Sequence, residues 1–147
     1  MSTLVENKRT LFDYEILERY QAGIALLGFE VKAIRQKKVA LQGSFVIIRG
    51  NEAFWINAPI APYQVKNTPP GYEETRPRKL LLKAREIAEL TGKTAQKGLT
   101  LIPISLYTDR RQIKLEFGLA RSKKKFEKRE GIKKKEFTRE KQRFMKE

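Results

Sequence analysis

The chain has no cysteine and no histidine among its 147 residues. Without thiols there is no disulfide framework and no thiolate metal site, and without imidazoles the Ser-His, Cys-His and His-ligated metal chemistries all fall away. Long apolar runs are missing as well. The most apolar stretch, Ala22 to Phe29, is far shorter than the roughly 20 residues that a membrane-spanning helix needs. Met1 to Lys8 lacks the apolar segment of a secretory signal, so a cytoplasmic protein is expected. Acids are scattered: Glu73-Glu74 falls in a predicted loop and Glu86 with Glu89 on an ordinary helix surface, so no carboxylate pair suggests acid-base catalysis. No internal repeat is visible. A binding protein with no cofactor and no metal is the expectation, rather than an enzyme.

What the chain has in abundance is positive charge. Its 32 Lys and Arg outweigh 17 Asp and Glu for a net +15, and Arg121 to Glu147 alone carries thirteen of these cations against five acids. Ordering that segment costs about 1 to 2 kcal/mol per residue in backbone entropy, on the order of 30 to 50 kcal/mol in all. Against this it offers Phe126, Ile132, Phe137, Phe144 and Met145, each contributing roughly 1.5 to 3 kcal/mol when buried. The free tail is therefore expected to be disordered, and a polyanion is the expected agent of its ordering. On a helix, Phe126, Phe137 and Phe144 fall within roughly 20° of one another, an apolar stripe on a cationic rod. A solvated solubility extension and a membrane-attracted polybasic arm are the other readings of such a tail. Residues 1–120 keep a net +7, and two basic surfaces on one small protein favour nucleic acid over a membrane.

Residues 1–120 suffice for one modest core. Phe12, Tyr14 and Ile16 alternate with Asp13, Glu15 and Leu17, predicting a strand that runs on toward Ala25. Gly28, Val31 and Ile34 take up helical spacing, with Glu30, Lys32, Arg35, Lys37 and Lys38 around the rest of the surface. Phe45 to Arg49 and Glu52 to Ile56 are β-prone runs flanking Gly50-Asn51, a hairpin signal. Gln64 to Thr75, among prolines and Gly71, reads as a flexible loop. A short strand at Leu80 to Leu82 and a helix from Ala84 to near Lys97-Gly98, with Ile87, Ala88, Leu90 and Thr91 on its inner face, come next. Leu99 to Tyr107 and Gln112 to Leu119 form a second hairpin. Pro103 coincides with a change of phase in the first of these strands, which a bulge or an edge position explains. Hairpins with interspersed short helices predict a small, mainly β, antiparallel barrel.

Candidate contacts gather on that barrel. Arg76, Arg78 and Lys79 precede Leu80, and Lys83 and Arg85 follow Leu82: either a charged strand rim or an RNA-binding edge, since Arg contacts phosphates bidentately and stacks on bases. Asn7, Lys8 and Arg9 could add phosphate contacts. Glu30 is either charge balance on a basic helix or a carboxylate that accepts from base amino groups.

The order of these blocks resembles a known family. Asn7-Lys8-Arg9 before Phe12-Asp13-Tyr14-Glu15-Ile16, then Gly28-Phe29-Glu30-Val31-Lys32, is similar to the opening of the small protein B family, the bacterial SsrA-binding (tmRNA-binding) proteins. Arg76-Pro77-Arg78-Lys79-Leu80-Leu81-Leu82 with Arg85-Glu86-Ile87, Gly98-Leu99-Thr100-Leu101-Ile102-Pro103, and Leu119-Ala120-Arg121 through Lys128-Arg129-Glu130 continue the likeness nearly end to end. The resemblance implies an OB-fold-like antiparallel barrel at 1–120 and a basic tail at 121–147. It implies a non-enzymatic role in trans-translation, in which the barrel binds the tRNA-like domain of tmRNA and takes the place of a missing anticodon arm. Glu30, Leu81 and Lys83 stand at family positions implicated in that contact. With the basic positions above, the expected tmRNA-binding set is Asn7, Lys8, Arg9, Glu30, Lys32, Arg76, Arg78, Lys79, Leu81 and Lys83. The tail is implied to become helical in the ribosome's decoding centre and mRNA channel, through Lys123, Lys124, Glu127, Lys128, Arg129, Ile132, Lys133, Phe137, Arg143, Met145 and Lys146. Further partners implied through the tmRNA complex are alanyl-tRNA synthetase and elongation factor Tu, with no DNA and no membrane. Three positions depart from the family pattern: Glu127 where Asp is usual before Lys-Arg, Lys83 where Asn or His is common, and Phe137 where some members have Trp. The rival reading is a general OB-fold RNA-binding or ribosome-associated protein with a nonspecific basic tail.

Overall fold

The Gly50-Asn51 signal marks the simplest element of the fold. In the computed structural model, which describes residues 2–62, 64, 66 and 68–123, Phe45–Arg49 (β3) and Glu52–Ile56 (β4) pair antiparallel from Phe45↔Ile56 to Arg49↔Glu52. Gly50 takes φ 61°, where an L side chain is disfavoured. Alternation buries Val46, Ala53 and Trp55, and the Trp55 indole N–H donates to Ser44 Oγ at 3.1 Å.

The second hairpin is longer than its expected limits. Leu99–Asp109 (β6) and Gln112–Ser122 (β7) pair along their length, and the register slips between Pro103 and Ser105. Four residues lie between the buried Leu101 and Leu106, but only three between their partners Leu119 and Leu115. The extra residue is a β-bulge, and it accounts for the change of phase seen in the sequence. β7 carries on through Ser122, two residues past the expected barrel limit at Ala120, because Arg121 pairs with both Leu99 and Glu15 and its guanidinium reaches the Glu15 carboxylate at 2.6 Å.

The bulge also builds the start of the chain, where the sequence reading needs correction. Lys8–Asp13 is a short helix, α1, so Phe12 is helical, and the predicted strand begins only at Tyr14: Tyr14–Ile24 (β2). A brief period-2 run could not fix that boundary. What fixes it is docking on the bulge, where the Pro103 carbonyl accepts from Asn7 Nδ2 (3.1 Å) and buried Thr10 Oγ1 (3.3 Å), and the Ile104 carbonyl from the Asn7 backbone N–H (2.8 Å). Ser2–Glu6 (β1), an unexpected strand, lies antiparallel on β6.

Gly28–Arg35 (α2) stands where expected, whereas the short strand expected at Leu80 to Leu82 is Arg78–Leu81 (β5), which starts two residues earlier and ends before Leu82, because Lys79 and Arg78 already pair with Phe54 and Trp55 of β4. Ala84–Thr94 (α3) stops short of Lys97, and only Ile87 and Leu90 are buried along it, whereas Ala88 and Thr91 face solvent. Strand pairing closes on itself through β6, β3, β4, β5, β2 and β7, with β1 added outside on β6. This closed antiparallel circuit surrounds a core of Trp55, Phe117, Leu80, Leu101, Leu106 and Leu115, capped by Ile34 and Ala33 of α2 and Leu90 of α3. Gly118 is needed where β2 crosses β7, since a Cβ there would lie 2.8 Å from Ile16 Cγ2. Among the described residues no helix is long and apolar enough to cross a membrane.

Candidate nucleic-acid interface

Strand alternation divides the basic block before α3. On β5, Arg78 and Leu80 point inward and are buried, so Lys79 and Leu81 must point outward. Leu81 is 58% exposed, a large aliphatic side chain lying beside Gly23 of β2, where an added Cβ would sit 3.3 Å from Leu81 Cδ1. Gly23 pairs in turn with Lys114 of β7, so Leu81, Gly23 and Lys114 form one outward row across three strands. Exposed Lys83 and Arg85 follow at the start of α3, and exposed Lys32 lies on α2.

Behind this surface is a buried charge cluster. Glu30 and Arg78 are both fully buried, and Arg76 is 28% exposed at its side chain. Arg78 donates to Glu30 Oε2 from Nε (3.0 Å) and Nη2 (2.6 Å), to the Ala58 carbonyl from Nη1 (2.6 Å) and to the Glu74 carbonyl from Nη2 (2.8 Å). Arg76 reaches both Glu30 oxygens, and the Leu27 N–H donates to Oε1 at 2.8 Å, capping α2. The Tyr72 hydroxyl lies 2.9 Å from Oε2, and its ring meets Phe29 edge-on with centroids 4.7 Å apart. The predicted flexible loop is thus strapped down at Tyr72 and Glu74. Burial raises the Glu30 carboxyl's affinity for protons, but Arg76, the Leu27 N–H and Arg78 together outweigh it and hold its pKa below the ordinary 4.5. Tyr72 is pushed up to about 12, by burial first and then by Glu30.

Of the two readings of Glu30, the internal one has geometry behind it: Glu30 and Arg78 are both fully buried and bonded to each other. Every oxygen of Glu30 is engaged inside the protein, and the pair positions β5 and α2. Tyr72, which completes the cluster, gave no signal in the sequence, because it meets Glu30 only through the folded loop. A carboxyl with a depressed native pKa contributes stability above the unfolded value and loses it as pH falls through the native one. Urea titrations are accordingly expected to show the native chain losing stability as pH falls below about 4.5, and a Glu30→Gln variant is expected to lack that part of the slope.

The remaining predicted residues divide between the two ends of the barrel. Asn7, Lys8 and Arg9 sit with α1 beside the first residues of β2, where the Lys123 N–H donates to the Asp13 carbonyl (3.0 Å). Asn7 is committed to Pro103, and Arg9 to Asp13 (3.1 Å) and the Phe12 ring; Lys8 is exposed. Lys79, Leu81 and Lys83 lie at the far end of β2, roughly 30 Å away at about 3.3 Å per residue. β7 brings the chain back from that end, so the segment beyond Lys123 starts opposite the Leu81 row. The sites expected at Lys124, Glu127, Lys128, Arg129, Ile132, Lys133, Phe137, Arg143, Met145 and Lys146 lie outside the described residues.

Known proteins bear on this arrangement. The family described as SmpB protein matches residues 4–147. An SsrA-binding protein of Cupriavidus necator is 49% identical over 144 residues, which is 98% of this chain and 96% of that protein. The SsrA-binding protein of Gloeobacter violaceus is 49% identical over 142 residues, covering 97% and 93%. A solved chain from a structure described as "tmRNA-SmpB: a journey to the center of the bacterial ribosome" superposes with TM-score 0.69 at 46% identity, over 84% of this chain and 87% of its own length. Matched along its length by the family and at nearly half identity by these relatives, the chain belongs to the SmpB family of SsrA-binding proteins.

Proposed function

We infer that this chain is a tmRNA-binding protein of trans-translation. It binds the tRNA-like domain of tmRNA and brings it to ribosomes stalled on messages without a stop codon, in the bacterial cytoplasm and without chemistry of its own. The observation that carries the reading is that the family match runs through the basic tail to residue 147 and is not confined to the barrel. The tail therefore belongs to the shared function, which a bare solubility extension does not explain.

The barrel supplies an apolar and cationic surface, exposed at Lys79, Leu81 and Lys83 and half-buried at Lys114, on a base held by the Glu30 cluster. Lysines neutralise phosphates, and Leu81 offers a flat apolar contact to a base or ribose. The tail segment 124–147 is assigned to the vacant decoding centre and mRNA channel, where rRNA phosphates meet its cations. Alanyl-tRNA synthetase and elongation factor Tu join through the tmRNA.

The test is binding of the tRNA-like domain to the full chain and to a chain ending at Lys123, with excess tRNA as competitor. Both proteins are expected to bind within about threefold of each other and to resist the competitor. The rival, a nonspecific RNA anchor, predicts that binding goes with the tail, yields to tRNA, and falls by 0.7 to 0.9 log units per phosphate contact for each log unit of salt.

A further inference from the structure

The turn joining β6 to β7 is built from residues that suit it badly. Asp109 pairs with Gln112, leaving a two-residue loop of Arg110 (φ 50°) and Arg111 (φ 68°). Positive φ at both central positions is the mark of a type I′ turn, for which Asn-Gly is preferred and a pair of long L side chains is disfavoured. Both arginines are exposed, and among the described residues neither side chain takes a hydrogen bond or an ion pair.

Their surroundings concentrate positive charge further. Arg35, in the last turn of α2, donates from Nη2 to the Arg111 carbonyl at 3.0 Å, which fastens the tip beside a third guanidinium. The nearest acid at the tip, Asp109, is engaged by Lys114 at 3.6 Å. Lys114 is the same residue that ends the outward row from Leu81 through Gly23. The tip is therefore continuous with the proposed RNA-binding face and lies at the end of the barrel away from Lys123. Unpaired like charges held together on a disfavoured backbone are explained by a polyanion that spans them, and guanidinium suits phosphate in particular.

Resting on the function proposed above, we propose that the Arg110-Arg111 tip, steadied by Arg35, is a phosphate clamp that extends the binding face for the tRNA-like domain past Leu81 and Lys114. The clamp gains RNA affinity at the expense of turn stability.

The test compares the full-length native chain with two double variants, Arg110→Asn/Arg111→Gly and Arg110→Lys/Arg111→Lys, reading Tm and affinity for the tRNA-like domain from 0.05 to 0.5 M salt. The Asn-Gly chain is expected to melt about 3 to 8 °C higher. At 0.1 M salt it is expected to bind roughly 10- to 60-fold more weakly, with a salt slope shallower by about 1 to 2. The Lys-Lys chain is expected to stay within about fivefold of native, since charge is retained and bidentate geometry lost. Native-like binding by the Asn-Gly chain would overturn the clamp, and a lower Tm would overturn the view that the turn is strained. If the native chain itself prefers tRNA, trans-translation fails as the reading. The clamp is then judged separately, by whether the Asn-Gly substitution shallows the slope on that tRNA.

Discussion

Glu30→Ala is expected to cost the fold about 3 to 5 kcal/mol, the largest effect of any single substitution proposed for the barrel. The reason is what stays behind. Arg78 is fully buried and Arg76 mostly so, and this one carboxylate is the acid with which both pair. Removing it leaves guanidinium in a low-dielectric site and takes the side-chain acceptor from the Leu27 N–H, while the Tyr72 hydroxyl keeps only the Ile60 carbonyl as acceptor. For a domain whose whole stability is about 5 to 15 kcal/mol, the variant should sit close to its unfolding midpoint at physiological temperature. Urea unfolding followed by circular dichroism measures this directly, and a loss below about 1 kcal/mol would show that the cluster does not hold α2 to β5. Glu30→Gln keeps the shape and should remain folded at low temperature. RNA affinity measured there separates a positioning residue, whose folded variant binds nearly as the native chain does, from a direct contact, whose variant does not. Replacing Glu30 and Arg78 together by Met should recover much of the Glu30→Ala loss, because an absent ion pair is less costly than half of one.

That cluster marks the limit of what the sequence could reveal. The β3-β4 hairpin was legible because its instructions are local, in two β-prone runs around Gly50-Asn51. The bulge was legible because the apolar phase changes at Pro103. By contrast, β1 and α1 depend on carbonyls about 95 residues away, where Asn7 and Thr10 find Pro103, and no local pattern encodes that meeting. Glu30 finds its partners 42 to 48 residues on, so its residue type could be read as functional while its role could not. The run Arg76 to Lys79 read as one basic edge because charge was counted without the strand's alternation. Once period 2 is imposed, Arg78 and Lys79 must face opposite ways, which gives Arg78 to the interior and leaves Lys79 and Leu81 exposed, with Lys83 exposed after them. Arg110-Arg111 carries no local signal for a related reason: its meaning lies in a backbone conformation, which residue types alone do not display.

Lys128→Ala/Arg129→Ala is expected to cut tagging on stalled ribosomes severely while leaving affinity for the tRNA-like domain within about twofold, since the proposed function gives the two tasks to opposite ends of the barrel. β2 and β7 place the Leu81 row about 30 Å from Lys123, so the segment beyond starts away from the tmRNA face. Its 24 residues could extend to at most about 80 Å, far enough to enter a channel that the barrel cannot. On the function proposed, ordering 24 residues would cost on the order of 25 to 50 kcal/mol, which eleven Lys and Arg against five acids would recover only where RNA phosphates line the path. A channel already filled by message would deny those contacts and leave the ordering cost unopposed, which is how the proposed function would have an occupied ribosome rejected. Deleting two cations removes two phosphate contacts, each worth roughly eightfold at 0.1 M salt, and should cut tagging in a reconstituted system by about sixtyfold or more. Binding to the isolated tRNA-like domain, measured beside it, decides the matter. An equal fall in both quantities would mean that the tail, and not the barrel alone, holds the tmRNA.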